Sequence, residues 1–208
     1  MITYSIVCCS HNKKILTRNL LRSPNLNNHQ VIINKNSKNI PSSYNKSIDI
    51  AENEFIIFVH HDVFLPKTFF EELEEYLKLI KKENWGLIGV AGKTRNGEDA
   101  GFICDRGNIF GGKKNPIEVQ SLDEVLLIKK RDQLKFDENI PSTHHLFATD
   151  LCLQYENAGK KNYAISAYCE HNSLYDNQIT KSWYESEKYI RNKWSKYLPI
   201  QTTCKRIE

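Results

Sequence analysis

The stretch FIIFVHHDVFLP, residues 55–66, carries the most information about the fold. Its apolar, β-branched and aromatic run predicts a short buried strand over 55–60. That strand ends in two histidines and an aspartate, His60, His61 and Asp62. Ligands of open α/β sheets bind at the carboxyl ends of the strands, so this strand end is the first candidate for a functional site. The three side chains suit a divalent cation, and the alternative is that the histidines only pack at the strand end.

Outward from this stretch, strand patterns alternate with amphipathic helix patterns. Buried strands are predicted at 4–10, 30–34, 55–60, 86–92, 122–130 and 162–168. Helices are predicted at 13–22, 43–53, 66–82, 147–159 and 180–197. Pro66 is placed as the first-turn proline of the third helix. The alternation predicts an α/β fold with a mostly parallel sheet flanked by helices.

Two regions depart from the alternation. Residues 92–116 are rich in glycine and charge, which predicts a hairpin or a mobile loop. The last predicted helix has a basic, aromatic character, and its apolar face either packs on its own domain or rests on a membrane surface. We therefore expect a main domain over 1–175, with a C-terminal amphipathic helix and tail over 176–208 packed on or beside it.

Composition narrows the class of protein. The chain has 208 residues, of which 40% are hydrophobic, and can bury a sizeable core. Its net charge of +4 suits anionic ligands but is too small to indicate a nucleic-acid-binding protein. No apolar run approaches the ~20 residues that span a bilayer. The six cysteines form no CxxC pair, which favours reduced core thiols and a cytoplasmic protein.

Four motifs follow one another along the chain. They are SIVCCSHN (5–12), YNKSIDIA (44–51), HHDVFLP (60–66) and ATDLCLQYENAG (148–159). In this order and at this spacing they resemble the GT-A-fold, family 2-like glycosyltransferases, and the resemblance covers roughly residues 3–173. It implies a Rossmann-like nucleotide-diphospho-sugar transferase fold. It also implies transfer of a sugar from a nucleotide-diphosphate donor to an acceptor hydroxyl, with inversion at the anomeric carbon.

The resemblance assigns roles to individual residues. Asp62 stands at the last carboxylate of the family's D-x-D motif, and His171 stands where a histidine completes the metal site, which implies Mn²⁺ or Mg²⁺. Asp150 occupies the position of the general base. The positions that imply contact with the nucleotide-sugar donor are Ser10, Asn12, Asn34, Asn45 and Asp62. The acceptor would be a glycan, or a lipid-linked or protein hydroxyl.

The chain departs from the family pattern at several positions. His60 replaces the first carboxylate of D-x-D, and Asn34 stands where an aspartate usually meets the nucleoside. Tyr44 and Ser47 replace the arginine and the glycine of the second motif. Because these replacements leave fewer anionic groups near the metal, two interpretations remain. The protein is either a divergent enzyme or an inactive module that binds nucleotide sugars.

Further polar residues have two interpretations each. His144 and His145 precede the last motif and either face the acceptor or lie in a surface loop, and His145 is the next candidate for the base. Lys93 and Arg95 either meet a diphosphate or an anionic acceptor, or belong to a solvated loop.

Overall fold

The computed structural model describes residues 2–142, 144–174 and 179–208, and a seven-stranded sheet lies at its centre. The strands are β1 (Tyr4–Ser10), β2 (Gln30–Lys35), β3 (Phe55–Val59), β4 (Val63–Phe64), β5 (Trp85–Gly89), β6 (Ala91–Lys93), β7 (Asp99–Asp105), β8 (Asn108–Gly111), β9 (Ile117–Val119), β10 (Ser121–Leu122), β11 (Leu126–Lys130), β12 (Lys161–Ala164) and β13 (Cys169–His171). The α-helices are α1 (Lys13–Arg18), α2 (Ile40–Ile50), α3 (Phe69–Leu79), α4 (Phe147–Asn157) and α5 (Lys181–Lys193). Short 3-10 helices cover Leu20–Arg22, Leu26–Asn28 and Ser195–Tyr197.

The central sheet has the strand order β2-β1-β3-β11-β5-β12-β9. Its register makes five strands run in one direction, while β11 and β9 run against them. The predicted α/β fold with a mostly parallel, helix-flanked sheet is therefore confirmed, with one reversed strand inside it. A second sheet has the order β10-β6-β7-β13-β4, and β8 pairs with β7.

Two apolar clusters cover the two faces of the central sheet. One contains Ile57 together with Leu73 of α3, and the other contains Phe58 together with Leu151 of α4. Alternate residues of a strand point to opposite faces, so the buried apolar run of β3 supplies both clusters. All six cysteines are free thiols, as their spacing predicted.

The helix after the decisive strand starts later than predicted. The run from Val63 to Phe64 is extended, because β4 pairs with β13. Pro66 then lies in the connection, where its carbonyl accepts the N–H of Phe69 at 3.0 Å. Thr68 is the N-cap of α3, so the prediction that Pro66 opens the helix is wrong. The predicted apolar face is confirmed, since its four members are all buried: Phe69, Leu73, Tyr76 and Ile80.

The glycine-rich segment 92–116 and the predicted strand 122–130 both form β-structure. Residues 92–116 contain the β7–β8 hairpin, whose turn has positive φ at Arg106 (49°) and Gly107 (81°), the pattern of a two-residue hairpin turn. The predicted strand 122–130 is split into β10 and β11. Its break is stabilised by Asp123, whose Oδ1 accepts the N–H of Val125 at 3.0 Å.

The C-terminal helix packs on the rest of the fold. Trp183, Ile190 and Trp194 of the α5 region are buried in the same apolar cluster as α4. The apolar face is thus covered by the protein itself, which removes it as the surface for the predicted peripheral membrane contact. Among the described residues, no helix has the length and apolar character needed to cross a bilayer.

Candidate functional site

Three side chains meet where the two sheets approach each other. His60 follows β3, Asp62 precedes β4, and His171 ends β13, which pairs with β4 so that His171 lies opposite Val63. One potential ligand atom from each of the three, His60, Asp62 and His171, lies within 4.8 Å of the other two. The structure therefore brings together Asp62 and His171, the two ligands that the family resemblance implies, and adds His60 from the strand end that was predicted to suit a divalent cation.

The geometry of this group fits a divalent cation. His171 Nδ1 lies 2.8 Å from Asp105 Oδ1, which orients the ring, and His171 Nε2 lies 3.4 Å from Asp62 Oδ1. Asp62 Oδ1 is buried and has no hydrogen-bond partner among the described residues. A carboxylate behind a metal-binding histidine is the usual arrangement at protein metal sites. A buried carboxylate oxygen without a partner is costly, and a cation would satisfy it.

The protonation states of Asp62 and His60 are consistent with ligation. Burial would raise the pKa of Asp62, but His171 and the other two histidines outweigh it and hold the pKa at about 2. Burial lowers the pKa of His60 to about 4, against the attraction of Asp62. Burial also lowers the pKa of His171, but the carboxylates of Asp62 and Asp105 outweigh it, so the net shift is upward. Asp62 is thus ionised and His60 neutral at pH 7, as ligands must be.

The first strand brings a polar side chain to the same place. Ser10, at the end of β1, has its Oγ 3.0 Å from His61 Nδ1, and the His11 ring lies 4.7 Å from the His61 ring. Because β1 and β3 are parallel neighbours, their carboxyl ends meet at one edge of the sheet. Ser10 therefore lies beside the residue that precedes Asp62.

The three asparagines predicted to contact the donor make hydrogen bonds to other parts of the protein. Asn12 caps α1, and its Oδ1 accepts from the N–H groups of Lys14 and Ile15. Asn34 Nδ2 donates to Ser47 Oγ at 2.8 Å. Asn34 is half-buried at the end of β2, next to β1.

Asn45 makes the strongest structural contacts of the three. Its Nδ2 donates to the carbonyl of Phe136 at 2.9 Å and to Glu138 Oε1 at 2.8 Å. Its Oδ1 accepts the N–H of Phe136 at 2.9 Å. This buried amide joins α2 to the segment before α4, and the structure does not bring it to the His60–Asp62–His171 group.

A cavity of about 550 Å³ opens from the metal-binding group. His60 and His171 contribute to its wall, and Asp123, Glu124 and His145 add further polar groups. His144 and Lys93 also line it, whereas Arg95 pairs with Glu156 of α4. Burial lowers the pKa of both His144 and His145.

Glu124 is one of four cavity carboxylates that were not predicted from the sequence; the others are Asp99, Asp105 and Asp123. Its Oε1 accepts the N–H of Ala148, in the first turn of α4, at 3.3 Å. Burial and the neighbouring Asp123 raise its pKa to about 8, against the lowering effect of backbone N–H groups. The only signal in the sequence is an acidic pair, DE at 123–124, that interrupts an otherwise apolar strand pattern.

Asp150, the predicted base, occupies a different environment. Its side chain is fully buried, and its Oδ1 lies 2.7 Å from Trp194 Nε1 and 2.8 Å from Lys193 Nζ. Its Oδ2 accepts from Gln154 Nε2 at 2.7 Å. Asp150 is not among the residues that line the cavity. Its assignment as base stays a prediction, and this position does not favour it.

A family model for a glycosyltransferase-like family matches residues 5–197. The chain belongs to this family. Crystal structures of S. aureus TarS have a similar fold, and the one in complex with UDP-GlcNAc gives a TM-score of 0.60 at 16% identity. That match covers 92% of this chain and 66% of the other. The complex of TarS with UDP gives a TM-score of 0.56 at 15% identity, over 92% of this chain and 65% of the other.

A curated relative is more similar in sequence over a shorter stretch. The ATP synthase subunits region ORF 6 of Fuscovulum blasticum is 27% identical over 130 residues, which is 58% of this chain. The match spans 52% of that relative, so this glycosyltransferase-like chain corresponds to about half of its length.

Proposed function

We propose that this protein transfers a sugar from a nucleotide-diphosphate sugar to an acceptor hydroxyl by direct displacement, which inverts the anomeric carbon. The observation that carries the proposal is the group His60, Asp62 and His171 at a sheet edge. Its Asp62 Oδ1 is buried without a hydrogen-bond partner among the described residues, and its two histidines line a cavity. The family and the fold support a transferase. TarS in complex with UDP-GlcNAc shows this type of fold with a nucleotide sugar.

The donor would lie across the carboxyl ends of β1, β2 and β3. Ser10 ends β1 and Asn34 is the last residue but one of β2, and both offer uncharged hydrogen bonds to the nucleoside. Asn12 would contribute from the start of α1. The predicted role of Asn45 requires its amide to leave the contacts with Phe136 and Glu138, so this residue is the weakest member of the predicted donor set.

The metal site favours Mn²⁺ over Mg²⁺. Two imidazoles and one carboxylate offer two nitrogen ligands, whereas Mg²⁺ prefers oxygen ligands. A cation held there would act as a Lewis acid on the leaving diphosphate. His60, Asp62 and His171 would hold it, and Asp105 would orient His171 through its Nδ1. Zn²⁺ is the competitor to test, because imidazole ligands suit it as well.

The acceptor would enter through the cavity. A glycan, or a lipid-linked or protein hydroxyl, attacks the anomeric carbon from the face opposite the diphosphate, and a base takes its proton. The cavity volume of about 550 Å³ is within the usual range for small-molecule sites. A cytoplasmic location is part of the proposal and rests on the composition alone.

The alternative is a module that binds nucleotide sugars without turning them over. The replacement of the first D-x-D carboxylate by His60 favours it. Binding and turnover separate the two proposals, because only the enzyme releases nucleoside diphosphate.

The test combines calorimetry with a release assay. UDP, GDP and dTDP are titrated into the protein with Mn²⁺, with Zn²⁺ or with EDTA, and diphosphate release is measured from UDP-GlcNAc, UDP-glucose and GDP-mannose. We expect metal-dependent binding of one nucleotide and release from its sugar. Asp49→Asn, which changes an exposed partner of Lys135, is the control variant and should bind nucleotide and release nucleoside diphosphate as wild type does. Binding without release would favour the module, and no binding under any condition would overturn both.

A further inference from the structure

Helix α4 holds the Glu124 side chain at the cavity wall. The residue lies in the short connection between β10 and β11 and is half-buried. Its Oε1 accepts the N–H of Ala148 in the first turn of α4. The N-terminus of a helix carries partial positive charge and favours a carboxylate. The side chain is therefore positioned by a fixed backbone donor, and it lines the cavity.

The same connection is joined to the metal-binding group. The carbonyl of Val125, the next residue, accepts the N–H of His60 at 3.0 Å. His60 and Glu124 line one cavity, which His171 also lines. A substrate whose diphosphate lies at the His60–Asp62–His171 group can thus extend along a wall that carries the carboxylates of Asp123 and Glu124. Both Asp123 oxygens already accept hydrogen bonds, from the Val125 N–H and from Thr203 Oγ1.

Helix α4 contacts different neighbours with its N-terminal end and with its side. The free N–H groups of its first turn point out of the helix start along its axis, whereas its side chains point outward from the axis. The Ala148 turn contacts Glu124, while Asp150 points to Trp194 and Lys193 at the end of α5. The carboxylate next to the cavity at this helix end therefore comes from the β10–β11 connection and not from the helix itself.

We propose that Glu124 is the general base of the transfer reaction, a role that rests on the proposed function. In this step Glu124 accepts the proton of the acceptor hydroxyl while the hydroxyl oxygen forms a bond to the anomeric carbon. The bond from that carbon to the phosphate oxygen breaks, and its electron pair leaves with the nucleoside diphosphate. The proton passes from Glu124 to solvent after the product departs.

The electrostatic surroundings suit a base. Burial and Asp123 both raise the pKa of Glu124 to about 8, so the ionised form is the minority at pH 7 but is a stronger proton acceptor than an exposed carboxylate. Its other titratable neighbours are Tyr44 on α2, Cys152 on α4 and Cys204 near the C-terminus. Burial raises the pKa of all three, so they are neutral at pH 7. The expected activity rises with pH and levels off above about 8, as Glu124 loses its proton.

His145 is the rival base in the same cavity. Burial lowers its pKa, so its neutral ring is also able to accept a proton at pH 7. Within the described ranges, no hydrogen bond or ion pair positions its ring. Glu124 has such an anchor, and a base must be held within hydrogen-bond reach of the proton that it removes.

The experiment measures the release of nucleoside diphosphate from the nucleotide sugar that wild type uses. The acceptor is either water or the hydroxyl compound to which wild type transfers the sugar. Glu124→Gln keeps an oxygen for the Ala148 N–H but cannot take a proton. We expect kcat to fall about 10²–10⁴-fold. Nucleotide affinity should be unchanged, and Tm should stay within about 2 °C of wild type. The rise of activity with pH should disappear in this variant.

Three further variants make the result specific. Glu124→Asp keeps the carboxylate on a shorter side chain, and we expect a smaller loss of kcat that retains the rise with pH. It also keeps the test valid if the glutamine variant does not fold. Glu118→Gln on the exposed side of β9 is the matched control and should match wild type. His145→Gln should lose less activity than Glu124→Gln.

The possible results separate this role from the proposed function. If wild type releases diphosphate and Glu124→Gln does so at a similar rate, Glu124 is not the base while the transferase proposal stands. The same holds if the variant is slow but keeps the wild-type rise with pH. If wild type neither binds nucleotide nor releases diphosphate, the proposed function fails and the role of Glu124 with it.

Discussion

Asp62 and Asp150 are both buried aspartates, but their carboxylate oxygens differ in their hydrogen-bond partners. Asp62 Oδ1 has no hydrogen-bond partner among the described residues and lies 3.4 Å from a histidine. Asp150 has both oxygens occupied, by Trp194, Gln154 and Lys193. A buried carboxylate with spare acceptor capacity is costly unless a ligand satisfies it, whereas a saturated one joins parts of the fold. The motif positions alone did not separate these two cases.

The largest effect is expected at the saturated aspartate. Asp150→Ala leaves Trp194 Nε1 without its acceptor and weakens the hold on Lys193, so α5 loses its main polar attachment to α4. Breaking a buried pair by removing one partner costs roughly 3–5 kcal/mol, and we expect the free energy of unfolding to fall by about that amount. Urea denaturation of wild type and variant measures it.

The control for this comparison is Glu185→Gln, which removes an exposed partner of Lys181 on the same helix α5. Its expected cost is under about 0.5 kcal/mol. If Asp150→Asn were as stable as wild type but had lost turnover with donor affinity retained, Asp150 would be the base as the family resemblance implied.

At the unsatisfied aspartate the expected effect is on function. Asp62→Asn keeps the shape of the side chain but removes the charge that a cation requires. We expect the stabilisation of Tm by Mn²⁺ to disappear and turnover to fall roughly 10³-fold, since Lewis-acid stabilisation of a leaving group contributes several kcal/mol. Thermal unfolding with Mn²⁺ and with EDTA, together with the release assay, measures both. Equal Mn²⁺ dependence in variant and wild type would remove Asp62 from the metal site.

A smaller effect is expected at Asp105, which contacts the predicted ligand His171. Asp105→Asn retains an acceptor for His171 Nδ1 but loses the charge that raises the pKa of that histidine. Changes at such positions cost about 10–100-fold in metal affinity, and we expect the lower end for Mn²⁺. Calorimetric titration of Mn²⁺ tests this, with Asp99→Asn on the same strand as the control, because Asp99 is exposed and pairs with Lys93. A loss as large as that of Asp62→Asn would make Asp105 a direct ligand.

The smallest effect concerns acid stability on the α5 side. Burial would raise the pKa of Asp137, but hydrogen bonds from Lys193, the Asn139 N–H and Tyr189 outweigh it and hold the pKa at about 2. A carboxylate with a depressed folded pKa stabilises the protein above its unfolded value of 3.8, and this contribution is lost as pH falls from about 4 towards 2.

Asp137→Asn should therefore make the urea midpoint less sensitive to acid between pH 5 and pH 3 than in wild type. The same pH series on Asp49→Asn provides the reference, since Asp49 is an exposed partner of a lysine. An unchanged acid dependence in Asp137→Asn would show that other carboxylates dominate this range.

The order and type of most elements follow from local sequence patterns. The apolar run at 55–59 is β3, the pattern with Phe69 and Leu73 is the buried face of α3, and Gly159 follows α4 with a φ of 74°. These features depend on the periodicity of apolar side chains and on the backbone preferences of residues that are neighbours in the chain. They can therefore be predicted from short stretches of sequence. The family resemblance also predicted that Asp62 and His171 lie close together, because it carries long-range information.

Which polar side chains face a cavity and which face another helix depends on contacts between distant parts of the chain, which only the tertiary structure shows. Glu124 looked like part of a strand, and it reaches the cavity because β10 and β11 break at Asp123 and α4 begins beside them. Asp150 looked like a catalytic carboxylate, and it is enclosed because α5 returns across α4. Residues 44 to 91 positions apart in the chain meet in such contacts, as between Asp150 and Trp194 or between Asn45 and Phe136. Hydrogen-bond capacity is filled by whatever the fold brings near, and no local pattern encodes that.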